Sequence, residues 1–469
     1  MGSDHYDFAI LGGGSAAFAG AIRASELGKR VALIERGSLG GTCVNVGCVP
    51  SKRMLVAGEF YRSALRNPFE GLSCEGELLD LSQIVTEKDR VVTDLREGKY
   101  VEVLEGLEGV EHVEGSGVFV SGSEVKVNGR RIEGDAFLVS TGSSPWVPAI
   151  PGLMEAGYWT NVEGLSPSKQ PESLLVIGGR ALGLEFAQMY ANLGSQVTLL
   201  QRSERILPLE EPEVSEALSA ALREEGVDIQ TQAQPKAVRQ RSGKKSVVAE
   251  VAGQAREFVV DEILMATGRR PNTEGLGLEA IGVKLGGRGE VQVDRRMRTS
   301  LPHVYAAGDV RGGRFLETTA AKEGFIAAEN AILDAGRQMD PPEHVPRAVF
   351  TTPQFAAVGF TEEEFSSRTG SCSCRTLSMD VVPKAQIVGD TRGMVKMTID
   401  PRDKRVVGVQ IVSSYAAEMI HEAALALKHG LTIDDVIDLV HVFPTHSEAL
   451  KLAAQSFYRD VTKLSCCTQ

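Results

Sequence analysis

The sequence predicts an α/β chain with two βαβ dinucleotide-binding units and a further C-terminal domain. Three observations predict it. Two glycine-rich turns, Gly12–Ala17 and Gly178–Gly183, each follow a short apolar strand and open a helix. Fifty glycines suit a fold with several tight phosphate-binding turns. The length of 469 residues, with 42% hydrophobic content, fills two to four ordinary cores, and Pro341–Pro346 reads as a linker before the last.

The first unit runs from the strand Asp7–Leu11 through Gly12-Gly13-Gly14-Ser15-Ala16-Ala17 into an Ala-rich helix ending near Leu27. Gly28 breaks the helix, and Val31–Ile34 is a second strand closed by Glu35. In a G-x-G-x-x-A turn, Gly12 makes the tight bend and Gly14 lets backbone approach a pyrophosphate. Ala17 keeps helix and strand close, and Glu35 can accept from a ribose hydroxyl. The alternative is a plain parallel-sheet turn.

Gly40-Gly41-Thr42-Cys43-Val44-Asn45-Val46-Gly47-Cys48-Val49-Pro50-Ser51-Lys52 follows directly. Residues five apart do not face each other on a regular helix. If a helix begins inside the motif, Cys43 lies on its lead-in loop and Cys48 in its first turn, and the sulfurs can meet as a reversible disulfide. A helix N-terminus favours thiolate, the reactive form. Pro50 suits a helix start. The alternative is a buried, inert pair.

Composition excludes several classes. Fifty basic against 62 acidic residues give a net charge of −12, with no basic run, which excludes a broad nucleic-acid surface. No apolar run is long enough to span a membrane. The start has no secretory pattern, and Tyr6 stands where a myristoylation motif needs Ser or Thr. Seven cysteines without such a signal point to a reducing, cytoplasmic setting.

Residues 54–107 read as mostly helical and carry no assigned chemistry. Val118–Ile132 alternates like short strands with turns at Ser121-Gly122 and Asn128-Gly129. The second unit runs from Leu174–Ile177 through Gly178-Gly179-Arg180-Ala181-Leu182-Gly183 to Val197–Leu200. Arg180 replaces the middle glycine, which implies a less intimate approach to phosphate. Gln201 ends the second strand where a carboxylate would favour NADH, and Arg202 and Arg205 follow. A 2′-phosphate can pair with both guanidiniums, which favours NADPH over a solvated arginine pair. The tail ends Ser465-Cys466-Cys467-Thr468-Gln469. Adjacent cysteines suit gripping a soft cation between two thiolates. A prenylation box fails on its middle positions, and an inert tail is the remaining alternative. Cys372 and Cys374 read as exposed cysteines on a polar loop, able to scavenge metal but more simply without a role. Cys74 is assigned nothing.

Gly40–Lys52, Ala136–Pro145, Leu264–Asn272, Val304–Asp309 and Val349–Gln354 together resemble the pyridine nucleotide–disulfide oxidoreductases. Leu464–Cys467 resembles the mercuric reductase branch in particular. The resemblance implies a glutathione-reductase-like fold: an FAD-binding domain over 1–148 and 271–344, an NAD(P)H-binding domain over 149–270, and an α+β dimerisation domain over 345–469. It implies that Cys43 exchanges with substrate, that Cys48 lies against the flavin, and that Lys52 lies near the reactive edge and pairs with Glu185. It places Gly12, Gly14, Ala16, Ala17, Glu35, Gly41, Thr42, Gly117, Thr141, Gly142, Asp309 and Glu317 around FAD, and Gly178, Gly183, Arg202, Arg205 and Gly268 around NADPH.

The family's acid–base histidine, in a His-Pro-x-x-x-Glu arrangement, is Phe443 here, followed by Pro444 and Glu448. Phenylalanine transfers no protons. His441 or His446 would need a different geometry. The resemblance therefore implies reduction of Hg(II), free or as small-thiol complexes. Cys43, Cys48, Cys466 and Cys467 are its ligands, in a homodimer whose tail reaches the partner's site. It also implies no separate N-terminal metal-binding domain, since the chain starts at the flavin unit. The competing readings are a dihydrolipoyl dehydrogenase or related disulfide reductase, and a flavoprotein that sequesters metal without turnover.

Overall fold

Each glycine-rich turn follows a strand too apolar to stay in water, and around each strand the chain builds a parallel sheet. The computed structural model describes residues 4–463. The chain folds as two discontinuous compact units.

The first unit comprises Met1–Ser51, Val85–Val147 and Thr267–Asp340. Its strands Val110–Glu114, Val31–Glu35, Asp4–Leu11 and Arg130–Val139 lie side by side in parallel. On its other edge Arg130–Val139 pairs first with Glu124–Val127, antiparallel, and then with Val304–Ala306, parallel. Glu124–Val127 makes a hairpin with Gly117–Ser121. Phe8, Ile10, Leu33, Phe137 and Leu138 are fully buried. Each contributes roughly 2 kcal/mol. The run is continuous because a parallel sheet is covered on both faces.

Helix Ser15–Glu26 starts directly after the first turn. Its small residues let it press closely on its surroundings. A Cβ at Gly20 would stand 2.9 Å from the Leu138 side chain. Helix Glu317–Leu333 comes closer still, and a Cβ at Gly324 would overlap the Ala16 carbonyl. Small side chains here set the height at which the helix N-terminus stands over the strand ends.

The second unit comprises Lys52–Ile84, Pro148–Ala266 and Pro341–Gln469. It holds a parallel sheet in the order Val227–Gln230, Gln196–Leu200, Ser173–Ile177, Glu262–Met265. A three-stranded antiparallel sheet, Ala233–Arg241, Lys244–Val251 and Gln254–Val260, follows. Helix Ala181–Asn192 is buried from Gly183 onward. A Cβ at Gly183 would overlap the Gly178 carbonyl, so the third glycine of the motif sets this close approach.

The unit also holds a five-stranded antiparallel sheet, ordered Arg347–Val349, Gln354–Gly359, Val406–Ser413, Met394–Ile399, Ser373–Ser378. Helices Ala416–His429 and Glu448–Gln455 share its core. Most of 54–107 is helical, as the sequence predicts, with one interruption. Helix Cys48–Leu65 ends before Pro68, and 66–80 contain neither helix nor strand. Proline cannot continue a helix, and it also disfavours helical backbone just before it.

Candidate active site

The two cysteines of the 43–48 motif meet because the chain breaks between them. Gly40 and Gly41 take left-handed backbone, with φ of 92° and 62°. They open a short helix, Gly41–Val46, that carries Cys43. Gly47 interrupts it, and Cys48 begins the long helix Cys48–Leu65. Cys43 therefore sits in a helix of its own, not on the lead-in loop expected from sequence. The bend draws the two segments together: a Cβ at Gly47 would lie 2.8 Å from the Thr42 carbonyl oxygen and 3.2 Å from the Cys43 Cα. Both cysteines are thiols hydrogen-bonded to each other, Cys43 half-buried and Cys48 exposed. The Cys43 thiol is held far above the ordinary cysteine range. Its hydrogen bond with Cys48 is the main cause, followed by burial and the negative charge of Cys48 and Glu317. The pair thus gives up one proton far more easily than two.

Tyr100 belongs to this site, and sequence reasoning missed it. It lies in a π-helical turn, Glu97–Val101, and packs edge-on against Phe18 with ring centroids 4.8 Å apart. A Cβ at Gly40 would stand 3.3 Å from its ring. Burial raises the Tyr100 hydroxyl pKa, and the charges of Cys43, Glu317 and Cys48 add to it, against a hydrogen bond with Ser15. Its ring packs beside the start of the redox motif. The only local signal is Gly98 beside Lys99-Tyr100 in an otherwise regular helix, where a π-turn forms.

The FAD residues expected from sequence line one end of the first sheet. Gly12 has φ of 120°, and a Cβ there would overlap the Ser140 carbonyl. A Cβ at Gly14 would stand 3.7 Å from the Gly41 Cα. The phosphate turn and the start of the redox motif are thus apposed as bare backbone at a helix N-terminus, a cradle that fits a pyrophosphate. Ala16 and Ala17 are buried behind it, and Thr42 follows Gly41. Glu35 accepts from the Gly37 N–H at 2.7 Å, and its side chain flanks Gly13. Gly117 is buried against Val125, Leu11 and Ile34.

Thr141 donates to the Asn272 carbonyl at 2.6 Å, and the Gly142 carbonyl accepts from the Asn272 N–H at 3.0 Å. Asp309 accepts from the Ser143 hydroxyl at 2.6 Å and lies 3.8 Å from Arg269. Arg269 also donates to Ser143, and burial lowers its pKa. Glu317 opens the helix Glu317–Leu333, and its charge acts on Cys43.

In the second unit Lys52 binds Glu185 at 2.7 Å and lies 4.6 Å above the Phe350 ring. Glu185 is buried and takes the Phe350 N–H at 3.0 Å. Gln188 exchanges two 2.7 Å hydrogen bonds with the Thr352 backbone. Helix Ala181–Asn192 thereby carries a carboxylate locked by an ammonium and a main-chain donor.

The second glycine turn is closed by a contact the sequence did not suggest. Gln201 accepts from the Gly179 N–H at 2.9 Å, so an uncharged side chain does the bracing. Gly178 has φ of 118° and Gly268 φ of 126°, and a Cβ at Gly268 would touch nothing. Arg202 is exposed and has no carboxylate partner among the described residues. Arg205 makes only a long 3.4 Å contact to the Pro208 carbonyl. Two cations beside a neutral strand end fit a 2′-phosphate.

Phe443 is exposed. His446 is buried against the Tyr415 ring, and burial lowers its pKa. Glu448 is pushed up by burial. His441 binds the Glu422 carboxylate at 3.0 Å and the Leu439 carbonyl at 3.1 Å. The bond to Glu422 raises its pKa above the ordinary 6.5. Its stabilisation is complete below 6.5 and is lost as pH rises through the raised value. His441→Gln is therefore expected to lower the urea midpoint at acid pH and to cost progressively less as pH rises. A deficit independent of pH would contradict this.

Cys374 corrects the sequence expectation of a polar loop, whereas Cys372 lies just ahead of the strand, with no regular structure of its own. Ser373–Ser378 is a strand, paired along its length with Met394–Ile399. Burial pushes the Cys374 thiol up to about 12. Cys466 and Cys467 lie outside the described residues. Among the described residues, no helix is long and apolar enough to cross a membrane.

The family described as pyridine nucleotide-disulphide oxidoreductase matches residues 6–334, and its dimerisation domain matches residues 345–454. The chain is 42% identical to the mercuric reductase of Staphylococcus aureus over 98% of its length and 84% of that protein's. It is 41% identical to the mercuric reductase of Streptomyces lividans, over 98% of each. Among solved structures it resembles the Cu(II) complex of the HOCl-induced flavoprotein disulfide reductase RclA from Escherichia coli. That likeness has a TM-score of 0.87 at 28% identity and covers 98% of this chain and 100% of that one. Because those two family matches span most of its length, the chain belongs to the pyridine nucleotide-disulphide oxidoreductases.

Proposed function

We propose that this chain is an FAD-dependent, NADPH-consuming enzyme that reduces Hg(II) to Hg(0) at Cys43 and Cys48. The observation that carries the reading is the near full-length likeness to proteins named mercuric reductase, at 41–42% identity. Phe443 supports it, because a disulfide reductase needs a proton donor for its leaving thiol and phenylalanine is none.

FAD, when bound, relays the electron pair of NADPH's hydride. The first unit holds it: Gly12, Gly14 and Gly41 around the pyrophosphate, Glu35 and Gly117 toward the adenosine end, Thr141, Gly142, Asp309 and Glu317 beyond. NADPH is held at Gly178 and Gly183, with Arg202 and Arg205 on its 2′-phosphate and Gly268 on the return strand. Lys52, oriented by Glu185, stands at the nicotinamide side. The flavin domain then comprises 1–148 and 271–344, the NADPH domain 149–270, and the dimerisation domain 345–469.

Cys43 and Cys48 alternate between a disulfide and two thiols. As thiolates they bind Hg(II) in place of two protons, and after the metal takes two electrons the neutral atom leaves both sulfurs. Tyr100 packs against Phe18 beside the start of the motif. Cys466 and Cys467 capture Hg(II) from small-thiol complexes and pass it on by thiolate exchange, from the tail of the partner subunit in a homodimer. Thiolate chemistry of this kind suits a reducing cytoplasm.

NADPH oxidation measured with Hg(II), lipoamide and glutathione disulfide tests the assignment. Turnover is expected with Hg(II) and not with either disulfide. Turnover with a disulfide alone would overturn the reading, and stoichiometric Hg(II) binding without NADPH consumption would identify a sequestering protein.

A further inference from the structure

A second sulfur pair lies in the second unit, outside the chemistry above. Cys374 lies in the edge strand Ser373–Ser378, and Cys372 stands just ahead of its first residue. Their sulfurs are 3.7 Å apart. The Glu362 carboxylate completes a group whose donor atoms all lie within 4.8 Å of one another, the one such cluster among the described residues. The Thr398 hydroxyl stands 3.6 Å from the Cys374 sulfur.

The spacing selects a coordination geometry. Two thiolates at about 2.3 Å from a tetrahedral ion are about 3.8 Å apart, whereas a linear ion with the same bond length needs about 4.6 Å. The pair already stands at the tetrahedral spacing. The charge around it favours a cation. Lys396 binds Glu362 at 2.9 Å, Glu213 at 2.9 Å and Glu211 at 3.1 Å, so three carboxylates surround one ammonium. Glu362 can turn to a metal and leave Lys396 with two partners. The position of Glu362 is fixed meanwhile by its backbone N–H, which donates to Glu211 at 2.6 Å.

We propose that Cys372, Cys374 and Glu362 form a binding site for a four-coordinate thiophilic divalent cation of the zinc and cadmium class. The fourth position is left to water or a small thiol. Binding forms two metal–sulfur bonds and releases the two thiol protons. The site discriminates by geometry against the two-coordinate ion assigned above to Cys43 and Cys48.

Cd(II) is the probe, and the test is made on the full chain carrying Cys466→Ala and Cys467→Ala, with the Cys43–Cys48 pair oxidised. This background is expected to bind one Cd(II) per chain by equilibrium dialysis, with ultraviolet thiolate-to-cadmium absorption. Adding Cys372→Ser and Cys374→Ser is expected to abolish both signals, and Glu362→Gln to weaken binding about tenfold. Cadmium NMR of the background chain, which needs no further substitution, is expected to give a dithiolate signal. Undiminished Cd(II) binding without the two cysteines, or a signal from oxygen ligands only, would overturn the proposal.

Discussion

Cys43→Ser is expected to lower Hg(II)-dependent NADPH oxidation by roughly 10³-fold or more, while FAD content and folding stay as they are. A hydroxyl is a hard, weakly acidic group that neither forms a disulfide nor holds a soft ion. The loss is specific because Cys43 sits in its own short helix, tied to the rest of the motif through backbone contacts at Gly41 and Gly47 that serine leaves untouched. Reduction of the flavin by NADPH should persist, since no residue assigned to either nucleotide is altered. A variant that retains a tenth of the Hg(II)-dependent rate would remove Cys43 from the reaction.

Gly324→Val is expected to destabilise the first unit by about 3 kcal/mol and to yield protein with little bound flavin. Gly324 lies in the buried face of helix Glu317–Leu333, where any Cβ overlaps the Ala16 carbonyl. Relief requires the two helices to part, because a backbone carbonyl cannot change rotamer. Parting them moves the N-terminus of Ser15–Glu26, which carries the phosphate turn, and the start of Glu317–Leu333, which carries Glu317. Stability and flavin content should therefore fall together. The urea midpoint and the flavin-to-protein ratio read the effect, and an unchanged midpoint with full flavin would show that the contact has slack.

The residues legible in the sequence are those whose role is set within one turn of chain. Gly12, Gly14 and Gly178 are readable because backbone geometry at a strand-to-helix turn is a local matter. The same holds for Cys43 and Cys48, apart from the break at Gly47, which places Cys43 in a helix. Tyr100 was not readable. It joins the site through a π-turn, a ring contact with Phe18 and a close approach to Gly40, both far away in sequence.

Cys374 was misread because Ser371 to Ser373 is a short polar run with turn-like composition. Pairing with Met394–Ile399 overrides it, as strand formation depends on neighbours more than on intrinsic preference. Lys396 shows the same limit. A lysine in a strand of alternating sequence reads as solvent-facing, yet it is buried among three carboxylates that come from distant segments.

The most direct test counts mercury vapour against NADPH. The purified full chain, supplied with NADPH and Hg(II) in excess small thiol, should release one Hg(0) for each NADPH oxidised, and Cys48→Ser should release none. NADPH consumption with no volatile mercury, or release that survives the loss of Cys48, would contradict the account.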